Sequence, residues 1–116
     1  MGIRSDVFVG LKEEVFSSLK EQNQKFLLEQ SDMQDDREGG KAFLFSGIKW
    51  YKDTFPELVE LYGDLEHSGD FNSEDYIIIE ACEEYPTMDA TTGAWEENPW
   101  NAFRYVEVSI HADGFH

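Results

Sequence analysis

The apolar residues of this chain change their spacing several times, and each change marks an expected element. In SDVFVGL (5–11), Val7, Val9 and Leu11 recur at every second position, the period of a first β-strand. From Lys12 to Gln30 the composition turns helical. Val15, Phe16, Leu19, Phe26 and Leu27 form one broad stripe, which Gln22 and Asn23 interrupt, so the middle of this helix should pack less deeply. The helix stops in SDMQDDREGG (31–40), which has little to bury, and DMQDDREGG (32–40) reads as a solvated turn. AFLFSGIKWY (42–51) is an aromatic-rich strand with an expected bulge at Gly47.

Thr54-Phe55-Pro56-Glu57 then matches the S/T-x-x-E capping pattern with proline in the first turn, a helix start. Leu58, Leu61, Tyr62 and Leu65 supply its apolar face, which should fade by His67 or Gly69. DYIIIEACEE (75–84) is β-branched and bounded by turn residues, a central strand. AFRYVEVSIH (102–111) places Val106, Val108 and Ile110 on one face of a last strand. The order β-α-β-α-β-β predicts an α+β fold. About four mainly antiparallel strands would be backed by two helices in a two-layer sandwich over residues 1–116 as one domain. The other face of the sheet is expected to be at least partly solvated.

Composition supports a folded chain. Hydrophobic residues make up 41% and aromatics 15% of it, enough for a packed interior to offset the chain entropy lost on folding. No apolar run approaches the roughly 18–20 residues needed to span a bilayer. MGIRSDVFVGLKEE turns charged too early for a signal peptide, and Asp6 stands where a myristoylation motif wants Ser or Thr. The single cysteine, Cys82, excludes an internal disulfide, and its apolar, acidic setting suits a small core residue rather than a reactive thiolate. A cytoplasmic protein is expected.

Charge narrows the function further. Twenty-five acids against nine bases give −16, and between Lys52 and Arg104 fourteen acids stand without one Lys or Arg. Such a block sets up a strongly negative field, which disfavours direct binding to nucleic acid or to an anionic membrane. Solubility alone is the simpler account of acidity, but this block exceeds that need.

Chemistry finds few handholds. The chain has no G-x-S-x-G elbow, P-loop, H-E-x-x-H or glycine-rich dinucleotide fingerprint, so a non-enzymatic role without a cofactor is expected. Glu80 and Glu107 on neighbouring strands form a carboxylate pair that could act as acid and base. The wet face of the sheet is the simpler place for both, and only a pocket holding one of them with a raised pKa would revive a hydrolase. In DFNSEDY (70–76), Asp70, Asn72 and Glu74 begin like an EF-hand loop, but Asp75 stands at its glycine position and Ala81 at its final glutamate. His111, Asp113 and His116 could ligate zinc, yet they lie at a terminus where a held geometry is unusual. No metal site is expected.

The acidic helix is the better lead. Glu57, Glu60 and Asp64 recur at i, i+3 and i+7, with neighbours roughly 5–6 Å apart at Cβ. Phosphates along one nucleic-acid strand stand about 3.4 Å apart in axial rise, a similar scale. Glu66, Asp70, Glu74 and Asp75 prolong the row. YPTMDATTGAWEENPW (85–100) follows, longer than an ordinary connection, and a long acidic and aromatic loop is expected over 85–101. Trp100 leads into a strand and should be buried; Trp95, with Glu96 and Glu97, is expected to stand exposed as a contact anchor.

MGIRSDV at the start and GIKWYKDTFPELVEL in the middle resemble small uncharacterised proteins of tailed bacteriophages, over about half the chain. The shared motifs are apolar and structural, and the long tryptophan-bearing loop departs from them. The resemblance implies an accessory protein in an infected bacterium, where small acidic proteins often inhibit host nucleases or defence complexes. The expectation is a nucleic-acid mimic that blocks a basic site on a nucleic-acid-handling protein. The alternative is an immunity or antitoxin-type protein that neutralises a basic toxin, and a homodimer is compatible with either.

Overall fold

A computed structural model describes residues 4–51, 53–67, 72–81, 90–95, 97–100, 103–104 and 110–111. Strand β1 (Ser5–Lys12) runs into helix α1 (Glu13–Ser18) and then α2 (Glu21–Gln30). A hairpin follows, β2 (Met33–Arg37) and β3 (Gly40–Ile48), then helix α3 (Glu57–His67). A short 3₁₀ turn (Ser73–Asp75) leads to β4 (Tyr76–Ala81) and β5 (Ala90–Gly93), with two small strands, β6 (Phe103–Arg104) and β7 (Ile110–His111), at the end. Five strands form an antiparallel sheet in the order β2-β3-β1-β4-β5, and β6 and β7 pair separately. The class is α+β as expected. Among the described residues no helix is long and apolar enough to cross a membrane.

The strand period assigns each apolar residue to a face. Val9 of β1 lies opposite Phe43 of β3 and Ile78 of β4, so all three point the same way. Together with Val7, Leu11 and Phe45 they meet Val15, Phe26 and Leu27 from α1 and α2 and Leu58, Leu61 and Leu65 from α3 in the main core. Phe26 packs on Phe45, Trp50 and Phe55 with ring centroids 5.6–6.4 Å apart, within the range of favourable aromatic pairs.

The opposite face is also covered. Phe8, Ala42, Ile77 and Ile79 form a second core with Trp95 and Trp100, which lie over the sheet as a lid. Trp100 is fully buried, its ring edge-on to Phe8 (5.9 Å) and to Trp95 (6.0 Å). Its indole Nε1–H donates to Asp35 Oδ2 on β2 at 2.8 Å, so the polar edge of the ring has a partner. Gly40 lies beneath the pair. A Cβ there would come within 2.7 Å of the Trp95 ring and 3.0 Å of Trp100, and only a residue without a side chain admits both indoles.

Several expectations change. The single helix over 12–30 is two, because Leu19 and Lys20 are extended (ψ 149° and 145°). Neither residue is a helix breaker; one nearby side chain, Gln24, and one distant one, Asp64, hold the break. Gln24 Nε2 donates to the carbonyl oxygens of Phe16 and Leu19, and Asp64 Oδ2 accepts from Lys20 N and Asn23 Nδ2. Asn23 is therefore buried, 1% exposed, at the point expected to pack least. The polar stretch 32–40 is not a solvated turn but β2 and a tight turn, with Glu38 (φ 44°) and Gly39 (φ 82°) in the left-handed geometry of a two-residue hairpin loop.

The bulge at Gly47 is present: Asp6 of β1 faces both Ser46 and Gly47 of β3, and Gly47 has φ 60°. Helix α3 starts at Glu57, and in its first turn the Leu58 and Val59 amides donate to the Phe55 and Pro56 carbonyls. The second sheet face is covered over Phe8, Ala42, Ile77 and Ile79 but stays solvated at its edges, where Met33 and Thr91 are exposed, and the loop expected over 85–101 contributes edge strand β5. The segment 102–111 is not one strand: Phe103 and Arg104 pair with His111 and Ile110. Cys82 lies outside the described residues.

Trp100→Ala should cost about 3–5 kcal/mol in urea unfolding. Trp100→Phe, which retains most of the ring area but loses the bond to Asp35, should cost about 1–3 kcal/mol. Equal effects of the two changes would mean that the hydrogen bond, and not the buried ring, holds the lid.

Candidate functional site

The acidic residues fall into three groups, and the second and third each line a hollow. On α3, Leu58, Leu61 and Leu65 face the core, while Glu57 and Glu60 are exposed. This row does not stand apart as expected. Asp64 turns inward to the start of α2, where its charge suits the helix N-terminus and satisfies the Lys20 amide. Lys20 Nζ also approaches Glu60 Oε2 at 3.8 Å, a well-exposed pair that contributes little. One of the three phosphate-like charges is thus committed to the fold and a second has a cation beside it.

The second group forms a hollow of about 680 Å³ at the opposite end of β4 from Glu80. Four pieces of chain meet there: Lys12 and Glu14 from the β1–α1 junction, Glu38 and Gly39 from the hairpin turn, Glu74 and Asp75 from the 3₁₀ turn, and Trp95 and Glu97 after β5. Local bonds hold each piece. Glu13 N donates to Gly39 O (2.8 Å), which ties the hairpin turn to α1. Asn72 caps the 3₁₀ turn by accepting from Glu74 N (3.0 Å), and Asp75 Oδ2 accepts from Asn72 N in return. Ala94 N donates to Ser73 O (2.6 Å) and Trp95 N to Tyr76 O (3.1 Å), fixing the start of the stretch after β5 that bears Glu97.

Lys12 Nζ bonds Asp75 Oδ1 at 2.9 Å inside this hollow. The Asn72 amide, first, and the Lys12 ammonium, second, hold the Asp75 carboxyl below its ordinary value of 3.8; Asp75 in turn raises Lys12. With that pair balanced, Glu14, Glu38, Glu74 and Glu97, all exposed, leave the rim negative. The structure therefore unites Glu74, Asp75, Trp95 and Glu97 of the sequence-predicted set and separates them from Glu57, Glu60 and Asp64. Asp70 and Glu96 lie outside the described residues.

Trp95 is corrected. It is 7% exposed, a floor under the acids and not an exposed anchor, because its ring is needed against Trp100 over the second sheet face. The Asn98 side chain, itself buried, secures this by donating to Trp95 O at 2.9 Å. Glu14 and Glu38 escaped the sequence reading because they belong to stretches with nearby bases. Only the tertiary fold brings them to the acidic block.

The third group surrounds Glu80. This residue lies opposite Val7 of β1, so its side chain turns to the helical face and not to a wet one. The Trp50 indole donates to the Tyr62 hydroxyl (2.9 Å), which donates to Glu80 Oε2 (3.3 Å). Burial raises the Glu80 carboxyl above its ordinary 4.5, with the Tyr62 bond opposing the rise. Burial, and then the Glu80 charge, push the Tyr62 phenol well above its usual value. Glu107, His111's side chain, Asp113 and His116 lie outside the described residues. Among those described, no three His, Cys, Asp or Glu side chains gather as a metal site.

Two pH dependences follow, of opposite sign. Because the fold lowers the Asp75 pKa, its contribution to stability is present above pH 3.8 and is lost as pH falls through the lower folded value. Asp75→Asn should flatten that part of the acid limb in urea midpoints measured against pH. Because the fold raises Glu80, stability falls as pH climbs from 4.5 through the higher folded value. Glu80→Gln, which keeps an acceptor for Tyr62, should therefore be at least as stable as the parent at neutral pH and less stable relative to it at low pH. A lower urea midpoint for the variant at pH 7 would contradict this assignment. No protein-family model, curated protein or solved structure matches the chain.

Proposed function

We propose that the chain is a non-enzymatic acidic binding protein that occupies a basic site on a nucleic-acid-handling protein. The supporting observation is the hollow rimmed by Glu14, Glu38, Glu74 and Glu97, where carboxylates from four separate parts of the chain converge around one Lys12–Asp75 pair. Lysine and arginine side chains of a partner would neutralise this rim, and the net charge of −16 would steer them to it over a distance. The resemblance to bacteriophage accessory proteins supports placing that partner in an infected bacterium, and hence the chain in the host cytoplasm.

The concave gathering is also compatible with the alternative, a shape-specific grip on one basic toxin in the immunity or antitoxin mode. Linear phosphate mimicry has its support in Glu57 and Glu60, which remain exposed on α3, but Asp64 is unavailable to extend that row. The two modes differ in which carboxylates matter.

The test is capture from bacterial lysate at low and high salt, followed by identification of what elutes. A basic nucleic-acid-handling protein that elutes with salt and is displaced by DNA or RNA is expected. Converting Glu14, Glu38, Glu74 and Glu97 to Gln should slow its association about ten- to a hundredfold at low salt, with a much smaller effect at high salt. Reversal of Glu57 and Glu60 alone should do less; a larger effect there would favour the mimic. Retention of the same protein by the quadruple variant, unchanged, would overturn the proposal.

A further inference from the structure

The hollow around Glu80 lies outside the acidic rim and has a different chemistry. It measures about 860 Å³, large enough for an extended side chain, and opens between α3, the segment after β3 and the end of β4. Its wall is apolar and aromatic: Trp50 and Tyr62 contribute rings, and Val59, 51% exposed, is one of the few large apolar residues left in water. The described charged residues that line it are acidic: Asp53 from the turn before α3, Glu66 from α3 and Glu80 from β4. Glu80 Oε2 accepts a hydrogen bond from the Tyr62 hydroxyl, while its Oε1 has no hydrogen bond among the described residues.

We infer that this hollow is a binding site for one arginine side chain of the basic partner. A guanidinium combines a flat face that stacks on aromatic rings with N–H donors that match a carboxylate, and its alkyl stem suits an apolar wall. Val59 would take the stem, the Trp50 and Tyr62 rings the planar head, and Glu80 Oε1 a donated hydrogen bond. This inference rests on the reading of the chain as a binder of basic proteins and adds a specific pocket to it.

Cation binding also gives the half-buried carboxylate a purpose. An ionised Glu80 in this setting is disfavoured by burial, and a guanidinium beside it would compensate. Binding should therefore weaken as pH falls through the raised Glu80 value, with Glu66 and Asp53 the other acids facing the site and Tyr62 remaining neutral.

The test uses the isolated protein, labelled with ¹⁵N, titrated with N-acetyl-arginine amide and watched at the indole N–H signals. A saturable shift confined to Trp50 is expected, since its N–H begins the chain of bonds to Glu80. The neutral N-acetyl-norleucine amide should give no such shift, and Glu80→Gln should weaken arginine-amide binding at least tenfold. Gly63→Leu supplies a second variant. A Cβ at Gly63 meets nothing within 4 Å, so the added side chain should fill the hollow and abolish binding without disturbing α3.

Equal shifts from the norleucine amide, unchanged affinity in both variants, or a response only at Trp95 and Trp100 would overturn the inference. Because the probe is a single amino-acid derivative, these outcomes are separate from capture of a whole partner at the acidic rim. Failure here with successful salt-sensitive capture would sink the arginine pocket and leave the function standing.

Discussion

Strand β1 is buried on both faces, and the rest of the molecule answers that constraint. Val7, Val9 and Leu11 need a cover on one side and Phe8 on the other, while β3 and β4 occupy both edges. Three helices provide the first cover. The second comes from a short stretch after β5, where two indoles supply the area that another helix would otherwise contribute. Large rigid rings suit this task, since they bury much surface for little lost rotamer freedom. The stretch that carries them is therefore held by backbone bonds to Ser73 and Tyr76, by Asn98 and by the Asp35–Trp100 bond across the sheet.

The same constraint places the charges. Acids in that stretch cannot follow the tryptophans into the core, so Glu97 stays at the rim beside the hairpin turn and the 3₁₀ turn. The rim is in this sense a by-product of covering the second face, shaped by residues whose first duty is packing. Glu80 is different. It is placed on the helical face by the strand period, among residues that could have been apolar, and its burial opposes the charge it carries. A residue that works against its own fold is more informative about function than one that merely faces water.

How far the sequence could be read depended on whether a signal was local. The alternation of β1, the leucine stripe of α3 and the β-branched run of β4 are properties of consecutive residues, and they appear where expected. IIIE was also a sign of burial on both faces, because three isoleucines in a row leave no polar side. What was missed needed distant partners. Nothing in SLKEQ marks a helix break at Leu19 and Lys20 without Gln24 and Asp64 to hold it. MQDDR has weak strand propensity and becomes β2 through its tight turn and β3. Trp95 sits beside two glutamates in the sequence, and the charge of its neighbours hid the burial of its ring.

The acidic rim is assembled from four stretches spread between Lys12 and Glu97. Once the chain opens, those stretches drift apart and the rim ceases to exist as a unit. Anything that recognises the whole rim consequently binds the folded form and leaves the open one alone, and by mass action it shifts the balance towards folding. It also relieves the mutual repulsion that so many negative charges impose on a compact body. In a cell, where proteases act on the open form, a ligand of the whole rim would also lengthen the lifetime of the chain.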